Sequence, residues 1–247
     1  MKIVQPTKAF TQLYDQHCSQ LSLQGLRPKT IDAYARSIRR IGATFDYEID
    51  ALTRDQLLDY FTNLNKTHSK STVKLDLYGL KFFYQHVLTR DWTDIPVVKS
   101  PRVVRIPDIV SIEEAQLLFA ATKVLSYRVF FYTVYSMGLR LSEGLKLEVG
   151  DIDGTRMRVH IRNSKGGKDR FVPLPQATYA VLRRFWKVHQ HPTLLFPNRK
   201  KTLQATRHAP SPLDRGGVQK AMRQVIKDCG FKKTLPCTAY ATVLLPI

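Results

Sequence analysis

The sequence predicts a mostly helical protein with one small β-hairpin or sheet, divided into two domains (residues 1–90 and 110–247) by a basic linker over 91–109. Three observations carry that expectation. Apolar residues recur at helical spacing through most of the chain. Three prolines, Pro96, Pro101 and Pro107, break the pattern in one place. Only residues 156–174 alternate with the period of a strand, around a glycine turn.

Taken in order, residues 7–22 place Phe10, Leu13, Tyr14, His17 and Leu21 on one helical stripe. Residues 29–42 do the same with Ile31, Tyr34, Ala35, Ile38 and Ile41, and leave Lys29, Arg36, Arg39 and Arg40 on the other face. Thr53 and Gln56 have the spacing of a capping box, which opens a short helix through Leu57, Leu58, Tyr60 and Phe61. Residues 70–88 form a fourth helix, with Leu77, Leu80, Phe83, Tyr84 and Val87 inward and Lys70, Lys74 and Lys81 outward. The linker carries Lys99, Arg102 and Arg105. Ser111 and Glu114 make a second capping box and start the second domain, with helices expected over 111–122 and 125–147. Residues 156–162 then alternate basic and apolar, Ser164-Lys-Gly-Gly-Lys168 turns the chain, and Arg170–Leu174 returns as a second strand. Helices over 176–190 and 216–229 follow, separated by a polar loop at 199–212. No internal repeat is present.

Charge narrows the function. Thirty-nine Lys and Arg against 20 Asp and Glu give +19 and concentrate polyanions at the surface. The excess is uneven: residues 1–98 carry net +3, residues 99–109 carry +2, and residues 110–247 carry +14. Charge alone favours nucleic acid without preferring DNA to RNA, the alternative being a solvated basic surface or a ribosomal or nucleoid protein. No apolar run reaches the roughly 20 residues that span a bilayer, and the N-terminus lacks the apolar stretch of a signal peptide. Cys18, Cys229 and Cys237 are scattered, which fits free thiols in a reducing cytoplasm and neither a disulfide framework nor a zinc site.

The segment Tyr135-Ser-Met-Gly-Leu-Arg-Leu-Ser-Glu143, with Asp151-Ile-Asp153 after it, resembles the first box of the tyrosine recombinases, the phage-integrase and Xer-type family. Asn163-Ser-Lys-Gly-Gly-Lys-Asp-Arg-Phe-Val-Pro-Leu174 is similar to that family's lysine-bearing hairpin, and the helical start around Pro28–Tyr34 resembles its core-binding, SAM-like domain. The resemblance runs from about residue 8 to about residue 233. It implies that Arg140 clamps the scissile phosphate, a task suited to a planar guanidinium that meets two oxygens at once. It implies that Lys165 protonates the leaving oxygen, with Lys168 and Arg170 as competitors on the same hairpin. Glu143 falls on the acidic position that orients Arg140. The implied partner is double-stranded DNA, on which the family assembles as tetramers, so a homo-oligomer on DNA is expected. The arginines supply the positive charge, so no metal or other cofactor is implied. Arg36, Arg39, Arg40, Lys74, Lys81, Arg102, Arg105, Lys168 and Arg170 are the candidate DNA contacts. His160 reads as a structural strand residue, and Tyr127, Tyr132 and Tyr135 as core.

The C-terminal residues depart from the family. Its third box, a His-x-x-Arg pattern, and the nucleophilic tyrosine beyond it have no counterpart here: none of the seven histidines has Arg three residues on, and Tyr240 sits where that box belongs. The chain therefore reads as truncated and unable to cleave. The alternative to a recombinase is a non-catalytic DNA-binding protein occupying recombination sites. One permissible back-translation of Leu235–Ile247 carries Ala-Met-His-Ser-Leu-Arg-His-Ser-Phe-Ala-Thr-His in a neighbouring frame. That match suggests a frameshift near codon 234. Sequencing the gene through that codon tests the idea, and stops in the other frame before a downstream Arg and Tyr would end it.

Overall fold

The computed structural model describes residues 5–92, 110–164, 167–200, 202 and 204–231. The linker segment with Arg102 and Arg105, the hairpin tip residue Lys165, and the C-terminal segment with Cys237 and Tyr240 lie outside the described residues. The chain divides into two units, Met1–Val103 and Val104–Ile247.

The first unit has four helices: α1 (Lys8–Leu23), α2 (Pro28–Thr44), α3 (Arg54–Thr67) and α4 (Lys70–His86). Each start has a local cause. Thr7 and Ser69 cap α1 and α4 through their hydroxyls, Pro28 supplies a fixed φ at the first position of α2, and the Thr53–Gln56 capping box opens α3. The core gathers Phe10, Ile38, Ile41, Leu57, Phe61, Leu64, Leu80 and Phe83. α2 and α4 pack closely because of one residue. A Cβ built on Gly79 would stand 2.1 Å from the Ser37 hydroxyl, so only glycine permits that approach. A mid-helix glycine costs about 1 kcal/mol relative to alanine, which the tighter contact must offset.

The second unit surrounds α6 (Leu125–Ser136), which packs against α8 (Gln176–His189). α5 (Ile112–Ala121) opens with the Ser111–Glu114 capping box and meets α9 (Arg215–Asp228). Phe130, Phe185 and Phe196 form the aromatic centre of this core. Three antiparallel strands in sequence order make the sheet: β1 (Ile152–Asp153), β2 (Arg158–Ile161) and β3 (Arg170–Pro173). Val159 pairs with Val172 and Ile161 with Arg170, which buries Val159 and Ile161 and leaves Arg158 and His160 on the other face. β1 is too short, at two residues, to announce itself by alternation.

The single helix expected over 125–147 is broken. α6 stops at Ser136, Gly138 takes φ +59°, and a short α7 (Leu141–Leu145) begins anew. Gly138 N–H bonds to Tyr135 O and Leu139 N–H to Val134 O, the pairing that closes a helix on a left-handed glycine. Arg140 thereby becomes the residue before a helix, with extended backbone, and not a mid-helix residue. Within the polar loop at 199–212, Gln204–His208 forms a short 3-10 turn. No helix among the described residues is long and apolar enough to cross a membrane.

Candidate functional site

The break at Gly138 aims Arg140 at the sheet, and one buried carboxylate organises what it meets. The Glu143 side chain is 5% exposed. Its Oε2 accepts from the Arg140 backbone N–H (2.8 Å) and from Arg170 Nη2 (2.9 Å). Its Oε1 accepts from Arg140 Nη1 (2.8 Å), Arg170 Nη1 (2.8 Å) and the Ser164 hydroxyl (2.9 Å). Burial pushes this carboxyl up, but hydrogen bonds from Arg170, from the Arg140 N–H and side chain, and from Ser164 outweigh it and hold the pKa down to about 2. Glu143 in turn raises the Arg170 pKa above its usual value.

Two guanidinium groups face one carboxylate, so one positive charge is left over. It resides on Arg140, whose side chain is 45% exposed. Only Nη1 of that group has partners among the described residues, Glu143 and, at 3.4 Å, the Ser164 hydroxyl. Nε and Nη2 have no hydrogen-bond partner among the described residues.

The ribbon between β2 and β3 is closed at its base. Asp169 accepts from the Asn163 N–H (2.9 Å) and approaches His160 Nε2 (3.0 Å), while Ser164 N–H bonds to Lys168 O (3.0 Å). Backbone hydrogen bonding by Asn163, ahead of burial and His160, keeps the Asp169 carboxyl below its usual range. Ser164, the residue before Lys165, is thus pinned against Arg140.

The other residues that the sequence singles out divide by what they touch. Arg170, expected as a DNA contact or an alternative acid, is engaged on Glu143, because its strand position opposite Ile161 turns it toward the carboxylate. Arg40, expected on the outward basic face of α2, pairs with Asp76, which is 1% exposed on α4. Nη1 lies 2.5 Å and 2.6 Å from the two Asp76 oxygens, and the Tyr60 hydroxyl donates to the same carboxylate at 2.8 Å. Arg40 therefore neutralises a core charge. Arg36 pairs with Asp32 one turn back at the surface (2.8 Å), and Arg39 donates to the Tyr14 hydroxyl (2.7 Å) while lying over its ring. Lys74 is exposed above the Tyr78 ring, Lys81 is half-buried, and Lys168 is exposed. Ser164 was missed because a serine in a glycine turn carries no periodic signal. Asp76 was missed because nothing in the helical pattern separates an inward aspartate from a solvated one.

Residues 13–94 match the phage integrase N-terminal SAM-like domain. Residues 109–238, more than half of the 247, match the phage integrase family. The chain belongs to the phage integrase family. Among curated relatives, a putative integrase/recombinase of Sinorhizobium fredii is 28% identical over 81% of this chain and 66% of its own length. A second from the same organism is 32% identical over 61% of this chain and 60% of its own. The tyrosine recombinase XerD of Ralstonia nicotianae is 29% identical over 71% and 61%. The chain thus spans two thirds or less of the length of these integrase-family relatives. Among solved structures, a lambda integrase tetramer bound to a Holliday junction is similar with TM-score 0.70 at 16% identity, covering 94% of this chain and 68% of that one. The XerH recombinase bound to its difH substrate gives TM-score 0.64 at 15% identity, covering 94% and 71%. At those identities the likeness concerns the fold, and it extends across both units of this integrase-family chain.

Proposed function

We propose that this chain binds duplex DNA and seats one backbone phosphate on Arg140, as the phosphate-gripping part of a site-specific tyrosine recombinase. The observation that carries the reading is the uncompensated charge at the Glu143 node: two arginines on one buried carboxylate, with Arg140 half-exposed. The phosphate clamp needs a guanidinium held rigidly with one face left to spare, and Glu143 supports both conditions. In this reading Lys165 delivers the proton to the leaving oxygen, and Ser164 and Asp169 fix the base of the ribbon that carries it. In the full reaction a tyrosine oxygen attacks the phosphorus and conserves the bond energy in a phosphotyrosyl link. The solved relatives, bound to a Holliday junction and to a recombination substrate, support duplex DNA as the partner and an assembly of several copies on it.

A second reading has its own support. Arginine and lysine can position a phosphodiester without cutting it, which suits a non-catalytic protein occupying recombination sites. One measurement tests what the two readings share, and another separates them. Both require duplex binding whose affinity falls steeply with salt, with a slope of roughly −0.9 per phosphate contacted. On a nicked suicide duplex, a covalent protein–DNA adduct establishes cleavage, whereas binding without an adduct establishes occupancy alone. A preference for single-stranded RNA would sink both.

A further inference from the structure

A second cleft in the second unit lies at the other end of α6 from Arg140. Helical rise puts the two ends of its 12 residues about 18 Å apart. The cleft has a volume of about 240 Å³, and its walls include Ser126, Phe185, Pro197, Arg199, Lys200 and Thr206. No carboxylate lines it. The larger cleft beside Glu143 is different, for the carboxylates Glu143, Glu148 and Asp151 line it together with Lys146 and Arg162.

α6 begins without a cap. Val124 has no side chain that can accept, and the first amide to bond is Arg128, to Val124 O (2.9 Å). Among the described residues, the N–H groups of Leu125, Ser126 and Tyr127 have no protein acceptor. The second observation is Ser126 itself. It is 4% exposed, it lines the cleft, and its hydroxyl makes no hydrogen bond among the described residues. Yet that hydroxyl is not among the side-chain atoms sealed from solvent without a partner, so the cleft is its outlet. An acceptor in the cleft would give that hydroxyl the partner that no protein group supplies. Two cations stand at the mouth. Arg199 is held over the Tyr127 ring at 5.3 Å, and Lys200 is exposed.

We propose that this cleft is a phosphate-binding site separate from the Arg140 site, in which the three helix amides and the Ser126 hydroxyl donate to the anion and Arg199 and Lys200 neutralise it. Helix N-termini favour anions through converging N–H groups and the macrodipole. The phosphate group belongs either to a duplex backbone or to a small phosphate compound, and the experiment distinguishes them.

Inorganic phosphate is titrated into the full chain at constant ionic strength, with chloride as the balancing ion, and amide resonances are followed. The expected result is saturable shifts at Leu125, Ser126 and Tyr127, weakened about tenfold in Lys200→Glu and unchanged in Arg140→Ala. Ser126→Ala is expected to lower phosphate affinity while leaving the unfolding midpoint the same or higher, because it removes a hydroxyl with no internal partner. If Lys200→Glu also reduces the salt slope of duplex binding by about 1, the occupant is a backbone phosphate. An unchanged slope with lost phosphate binding assigns a small phosphate. The absence of saturable shifts at the three amides overturns the proposal, as does a Ser126→Ala variant that binds phosphate like the parent. Because the readout is the three amides of α6 and not the Arg140 site, its outcome stands apart from that of the suicide-duplex assay.

Discussion

Asp76 in the first unit and Glu143 in the second are both buried against arginine, and the two sites end up with opposite character. In the first unit, Asp76 accepts at both oxygens from Arg40 Nη1 and at one of them from the Tyr60 hydroxyl, one positive charge for one negative. In the second unit, Glu143 meets Arg140, Arg170 and Ser164, two positive charges for one negative. The first arrangement is closed and holds helices together. The second holds the sheet to α7 and still presents charge to solvent. Burial of a carboxylate is common to both, so the count of guanidinium groups around it, and the exposure of the one left over, separate a structural ion pair from an anion site.

The largest expected effects come from removing each carboxylate in turn. Glu143→Gln and Asp76→Asn should each destabilise their unit by about 3 kcal/mol in urea unfolding, because breaking a buried pair leaves charge uncompensated. They should part company in DNA binding. Glu143→Gln loses affinity because Arg140 is no longer held, and Asp76→Asn keeps the parent affinity per folded molecule. Equal losses of affinity in the two variants would erase the distinction.

Acid should stress the first unit through a different group. Burial holds the His17 pKa down to about 4, from an unfolded value near 6.5. Between those values the unfolded chain binds more protons, so stability is complete above pH 6.5 and declines as pH falls toward 4, by about 3 kcal/mol in all. His17→Leu should flatten that decline in the first unit, while the second unit keeps its own through His189, whose pKa burial also holds down to about 4. Glu143 keeps its charge through the same window, since its pKa is about 2. A parent protein with no change in unfolding midpoint from pH 7 to pH 4.5 contradicts the assignment.

Smaller still, Arg140→Ala should weaken duplex binding about tenfold, as loss of a single charge-assisted phosphate contact implies, with a change in unfolding free energy below about 1 kcal/mol. Melting of the fold would reassign Arg140 as structural. The least effect is expected at Lys74. Its exposed position above Tyr78 makes Lys74→Ala worth a few tenths of a kcal/mol in stability, and in binding it should alter only the salt slope.

Much of the architecture was legible in the amino-acid order alone. The capping boxes at Thr53 and Ser111 and the apolar periods of α1, α2 and α4 are local signals, and local interactions enforce them. The break in the helix after Ser136 was not legible, because apolar residues keep helical spacing on both sides and a lone glycine is tolerated within a helix. The phosphate-facing role expected of Arg140 and Glu143 came from the motif they share. The diversion of Arg40 to Asp76 and of Arg170 to Glu143 depends on residues 36 and 27 positions apart meeting in space, which no spacing rule encodes. Ser126 was equally silent, since a serine in an apolar helical run reads as filler until its neighbours are placed.

The Glu143 carboxylate also receives the Arg140 backbone N–H, and so starts α7 with the same oxygens that hold the guanidinium. Folding of that turn and placement of the guanidinium are consequently a single event. On the proposed reading, an arriving phosphodiester would meet a group whose ordering entropy was lost when the chain folded.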